Sequence, residues 1–152
     1  MIYKEIFPIS KIKIEAFSHA TENPDKVKQA MLSIIPSHLR SKVKIRREIL
    51  QGYYGNPIII LRATIRDPQI IRETISYITS KMDSLDKKLI ESTLELRIDK
   101  SKNLYIRFSK EDAYYENLVL KDYNDVIKVS ISFSPFIKKK ELRQICKELG
   151  LI

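Results

Sequence analysis

The sequence is short of the residues on which several kinds of chemistry depend. Three glycines serve 152 residues, and neither a GxxxxGK loop followed by Ser or Thr nor a GxGxxG turn occurs, which excludes phosphate cradles of those two types. Cys146 is the single cysteine, so an internal disulfide and a multi-cysteine metal cluster are both ruled out, and a reducing compartment fits. The two histidines, His19 and His38, stand far apart with no evident triad partner. No stretch approaches the roughly 18 consecutive apolar residues of a membrane span. The N-terminal MIYKEIFPISKIKIEAF lacks the long apolar run and the small-residue cleavage site of a secretory signal. Together these absences predict a cytoplasmic, non-catalytic protein with no membrane contact, cofactor or metal.

What the chain has in quantity is positive charge. Lys and Arg number 28 against 19 Asp and Glu, a formal net charge of +9. Residues 1–50 carry ten basic against five acidic residues, residues 51–110 eleven against seven, and residues 111–152 seven of each. The excess therefore lies in the body of the fold and not in a tail, as suits a phosphate backbone. An ion-pair network of the kind found on thermophilic surfaces is the competing account. Apolar residues, at 43%, suffice for one core, and the length suits a single domain over 1–152 that buries roughly 68–70% of its unfolded surface.

Periodicity predicts the elements. Ser10 to Ser18 alternates Ile12, Ile14 and Ala16 with Lys11, Lys13, Glu15 and Phe17, a half-buried strand. Asn23 caps a helix beginning at Pro24, with Val27, Ala30, Met31, Ile34 and Ile35 as its stripe and Pro36 as its stop. Val43 to Leu50 reads as a strand with Val43, Ile45 and Ile49 inward, and Ile58 to Arg66 as another. Asp67-Pro68 opens a helix with the stripe Ile71, Ile75, Ile78 and Met82, and Leu85 to Ser92 continues helical. Thr93 to Asp99 and Asn103 to Phe108 form a hairpin pattern about Lys100-Ser101-Lys102. A short helix from the Ser109 cap, a strand over Val126–Phe133 and a helix over Lys138–Leu149 closed by Gly150 complete the chain. The predicted fold class is α+β, one layer of helices on a largely antiparallel sheet whose other face is polar.

On that polar face Lys11, Lys13, Lys44, Arg46, Arg62, Arg66, Arg97, Tyr105, Arg107 and Lys128 fall at outward positions. Between two of the basic strands lies Gly52-Tyr53-Tyr54-Gly55-Asn56-Pro57, which holds two of the three glycines. Cations with aromatics on a sheet recognise single-stranded or looped RNA through phosphate contacts and stacking. Lys11, Lys13, Lys44, Arg46, Arg62 and Arg107 are expected to position phosphates, and Tyr53, Tyr54 and Tyr105 to stack on bases. An ordinary solvated face with lysines guarding its edges explains the same pattern less fully. The acidic pairs Glu111-Asp112 and Asp122/Asp125 read as helix-end and turn charges, Cys146 as a buried hydrophobe, and His19 as a brace of the strand-to-helix turn.

Four segments together resemble one family. They are Ala16-Phe17-Ser18-His19-Ala20-Thr21-Glu22, Gly52-Tyr53-Tyr54-Gly55-Asn56-Pro57-Ile58, Leu104-Tyr105-Ile106-Arg107-Phe108-Ser109-Lys110, and the strand from Ile127 to Phe133. In this order, over about residues 8–149, the chain is similar to the archaeal RNA-binding proteins described as predicted exosome subunits. That resemblance implies a fold like the ribosomal protein of the L-five type, RNA as partner, and exosome or ribosomal components as further partners. Two positions depart from the pattern: tyrosines stand at 53 and 54 where histidine is frequent, and Glu111-Asp112 follow Lys110. A protein-interaction module with no nucleic-acid contact, including a homodimer through an edge strand, is the alternative function.

Overall fold

The computed structural model describes residues 7–51 and 55–152, so Tyr53, Tyr54 and Gly52 lie outside the described residues. Five strands, β1 (Ile9–Ser18), β2 (Arg46–Gln51), β3 (Pro57–Ile65), β4 (Asn103–Ser109) and β5 (Val126–Phe133), form one sheet in the order β2-β3-β1-β5-β4. Every neighbouring pair is antiparallel. Six α-helices among the described residues, α1 (Pro24–Leu32), α2 (Pro68–Lys81), α3 (Ser84–Ser92), α4 (Leu94–Arg97), α5 (Lys110–Tyr114) and α6 (Leu142–Leu149), supply the second layer.

Alternation along the strands decides which face the helices cover. Ile12, Ile14 and Ala16 of β1, Leu61 and Ile65 of β3, Leu104, Ile106 and Phe108 of β4, and Ile127, Val129, Ile131 and Phe133 of β5 all enter one buried core. The register puts them side by side: Ile12 is opposite both Ile65 and Ile131, and Ile106 is opposite Val129. Val27, Ala30 and Met31 of α1, Ile71, Ile75 and Ile78 of α2, and Leu142 and Cys146 of α6 pack against them. Burial pushes the Cys146 thiol up to about 11, so the residue behaves as a small hydrophobe. Among the described residues the opposite face contributes none to this core, although Ile60 there is buried between its neighbours.

Helix ends follow their local signals. The Asn23 side chain accepts from the Asp25 amide, the Asp67 side chain from the amides of Gln69 and Ile70, and the Ser109 hydroxyl from the Asp112 amide. Gly150 ends α6 in the left-handed region at φ +86. Ahead of α6, Lys139–Glu141 is a 3-10 turn, so the expected terminal helix tightens over its first residues.

Two expectations need correction. Thr93 to Asp99 is not a strand: Leu94–Arg97 is the helical turn α4, and only an isolated bridge joins Ile98 to Leu104. The alternation of Leu94, Leu96 and Ile98 misleads because Leu94 is buried while Leu96 is 88% exposed. A helical backbone lets Arg97 Nε donate to Thr93 Oγ1, four residues back, at 2.8 Å. The partner of β4 is β5 instead. Second, β2 begins at Arg46 and is exposed throughout. Its register places Ile49 opposite Ile59 on the helix-bearing side, yet β2 is an edge strand and Ile49 is 73% exposed. Val43 and Ile45, just before it, pack partly against the core.

Candidate nucleic-acid interface

The face without helices is ordered by strand register into rows. One row crosses all five strands: Arg46 is opposite Arg62, Arg62 opposite Glu15, Glu15 opposite Lys128, and Lys128 opposite Arg107. At ~4.8 Å between strands, this line of four cations and one carboxylate spans about 19 Å. The next row holds Thr64, Lys13, Ser130 and Tyr105, and the one beyond it Lys11, Ser132 and Asn103. Because strand side chains alternate, the same polypeptide supplies the core on one side and the cations on the other.

Not all of these charges are equally available. Arg62 Nε donates to Glu15 Oε2 at 2.6 Å, and another arm of the same guanidinium donates to Glu48. Lys128 Nζ lies 3.4 Å from Glu15 Oε1. Burial works to raise the Glu15 carboxyl, but Arg62 and Lys128 outweigh it and hold the group below its ordinary value. Arg62 and Lys128 are therefore partly neutralised. Lys11, Lys13, Lys44, Arg46, Arg66 and Arg107 make no ion pair among the described residues.

Two concavities flank the row. One, of about 440 Å³, is lined by Lys42, Lys44, Arg46, Arg62 and Arg66, with Asp67 as its one acid. The other, of about 670 Å³, opens where β1 ends against the loop before β5, and both Arg107 and Lys128 line it. The cationic row joins these grooves across the sheet.

Of the residues predicted from sequence, Lys11, Lys13, Arg46, Arg62, Tyr105, Arg107 and Lys128 share this face, with Lys44 and Arg66 at the mouth of the smaller groove. Tyr105 is braced and partly covered. Its hydroxyl donates to Asp99 Oδ2 at 2.7 Å, and the Lys128 ammonium lies 5.6 Å from its ring centroid. Arg97 does not belong to the face. It is buried in α4, and its guanidinium donates to both carboxylate oxygens of Asp122, at 3.0 and 2.8 Å. An arginine locked in a bidentate pair inside the protein is a structural tie and offers nothing to a phosphate.

Sequence reasoning missed Phe17 and Tyr123, which line the larger groove and are 47% and 77% exposed. The outward position of Phe17 in its strand was a usable signal. Tyr123 had none, because only the folded loop brings it to the end of β1.

In the wall of this groove sits an ion-pair hub, since His19, Lys110 and Asp125 line it. The buried Lys110 ammonium donates to the Phe17 carbonyl at 2.7 Å, to Glu22 Oε1 at 3.0 Å and to Asp125 Oδ1 at 3.2 Å. His19 Nε2 lies 3.2 Å from the same Asp125 oxygen, and the His19 amide donates to Glu22. His19, Glu22 and Asp125 could meet around a metal ion, but the ammonium of Lys110 already stands between both carboxylates. The hub serves structure, tying the start of α5 to the end of β1.

The architecture defines a class: a single-domain α+β protein with one face of its antiparallel sheet given to the core and the other to a cationic surface suited to nucleic acid. A family model described as RNA binding matches residues 11–133, and the chain belongs to that family. It is 33% identical over 132 residues to the RNA-binding protein PAB1135 of Pyrococcus abyssi, covering 86% of this chain and 85% of that one. It is 31% identical over 150 residues to the uncharacterized protein MJ0213 of Methanocaldococcus jannaschii, covering 93% and 99%. Among solved structures, AF2318 of Archaeoglobus fulgidus superposes with a TM-score of 0.81 at 27% identity, over 93% of this chain and 99% of that one. SSO0741 of Sulfolobus solfataricus gives 0.73 at 33% identity, over 92% and 97%. Both of those are described as DUF54 proteins.

Proposed function

We propose that the protein binds RNA without catalysing a reaction on it, along the open face of its sheet. The observation that carries this reading is the row Arg46–Arg62–Glu15–Lys128–Arg107, a cationic line across five strands with a groove at either end. Six cations on and beside it without an ion pair among the described residues, Lys11, Lys13, Lys44, Arg46, Arg66 and Arg107, supply phosphate contacts; Arg62 and Lys128 exchange carboxylate for phosphate as RNA arrives. Membership of an RNA-binding family supports the same partner. The setting that fits is an accessory role in archaeal RNA processing or decay, beside exosome or ribosomal components in the cytoplasm, on a fold of the L-five type.

Titration of single-stranded RNA at 50 and 200 mM salt tests the reading. About six phosphate contacts give a log–log slope near −4, a loss of several hundredfold between the two salts. Absence of binding at 50 mM would reject it. Tyr53 and Tyr54 together replaced by alanine should weaken binding while the far-ultraviolet circular dichroism stays unchanged.

A second reading has one observation in its favour. Edge strand β2 has a strand partner on one side only among the described residues and bears the exposed side chain of Ile49, a surface that suits strand addition by a protein partner or a second copy. Co-purification with and without nuclease, and sedimentation of the isolated chain, separate protein docking and homodimerisation from RNA bridging.

A further inference from the structure

We infer that the groove of about 670 Å³ at the end of β1 is a pocket for one unpaired nucleotide, whose base stacks on Phe17 and Tyr123 while Arg107 and Lys128 take the adjoining phosphate. The inference rests on the RNA-binding reading above and adds to it a place where a base, not the backbone, is held.

Phe17 and Tyr123 are large, exposed and line the same cavity. Neither ring has an aromatic or cationic partner among the described residues, unlike Tyr105, Tyr114 and Tyr77, whose faces are in contact with cations. Two exposed aromatic rings beside two cations match the flat base and anionic linker of one nucleotide. The volume is that of a small-ligand site. Arg107 and Lys128, the last two members of the row, line the groove, and its two carboxylates, Glu15 and Asp125, are each paired with cations.

The loop that carries Tyr123 is held on both sides. Asp122, immediately before, is clamped by Arg97 through two hydrogen bonds. Asp125, two residues later, adopts φ +68 and is gripped by Lys110 and His19. A non-glycine residue in the left-handed region persists only where its surroundings fix it. Tyr123 is thus held ready for stacking, which lowers the ordering cost of binding.

A duplex cannot fill this pocket without extruding a base, so the site selects unpaired RNA. The test uses a single-stranded RNA with one 2-aminopurine and a duplex of matched length; the chain has no tryptophan to interfere with the probe. Phe17→Ala and Tyr123→Ala are each expected to weaken single-strand affinity about five- to a hundredfold. They should also diminish the 2-aminopurine quench, leave the salt slope unchanged and leave duplex affinity unchanged, while Tyr123→Phe behaves as the parent. Single-strand binding and quench unaltered in both alanine variants would overturn the pocket, as would equal losses on single strand and duplex. Parent protein that binds neither RNA would instead overturn the RNA-binding reading itself.

Discussion

Lys110 shows how one side chain can carry a local structure. Its ammonium serves the Phe17 carbonyl and two carboxylates at once, so its removal leaves Glu22 and Asp125 facing each other without a cation. Lys110→Met is expected to cost about 1–3 kcal/mol in urea unfolding, since the Phe17 carbonyl and two partly exposed carboxylates lose their donor. A loss below about 1 kcal/mol would show that solvent replaces the ammonium. Asp99 makes a second prediction, in pH. Hydrogen bonds from the Asn103 amide and side chain, then from Tyr105 and the Ser101 amide, outweigh burial and hold its carboxyl down at about 2. A group whose folded value is depressed stabilises fully above its unfolded value, near 3.9, and loses that contribution as pH falls through about 2. Glu15, Glu116 and Asp125 are lowered as well and add to the same trend. Unfolding measured from pH 5 to pH 2 should therefore weaken with acid, and Asp99→Asn should flatten the lower part of the curve. An Asn variant with an unchanged slope there would contradict the assignment.

Elements were legible in proportion to how local their causes are. The caps at Asn23, Asp67 and Ser109 are contacts within three residues, and the sequence pattern located each of them. Gly150 is similar: its φ of +86 needs glycine, and an added Cβ would meet only Thr79 at ordinary contact distance, 3.5 Å. Gly150→Ala should accordingly cost about 1–2 kcal/mol from the backbone alone, read by thermal unfolding with α6 retained in the circular dichroism. A much larger loss would point to a clash that the geometry does not contain. The hairpin expected over residues 93–108 failed for the opposite reason. Its alternation was real, but Asp122, 25 residues ahead of Arg97, captures the guanidinium and favours the helical turn. In β2 the inward register of Ile49 was legible and its exposure was not, because edge position depends on strand order.

At the scale of the whole molecule the open face acts as one electrostatic object. Arg46 and Arg107 stand at opposite ends of its central row, each without an ion-pair partner among the described residues. Replacing both with alanine should lower the salt slope for single-stranded RNA by about 1.4, at about 0.7 per phosphate contact. Arg97→Lys is the useful contrast, because its guanidinium is turned inward and the slope should not move. A slope unchanged in the double variant would mean that RNA lies elsewhere.

The sequence by itself determined the alternation that divides β1, β3, β4 and β5 between core and polar face, the caps at Asn23, Asp67 and Ser109, and the sign of the surface charge. These follow from residues within a turn or two of each other. Only the tertiary structure decided that Arg46, Arg62, Lys128 and Arg107 stand in one line, that Arg97 is withdrawn from it, and that Tyr123 and Phe17 line one groove. Strand order and the path of the 115–125 segment set those outcomes, and both arise from packing a core whose partners are distant along the chain.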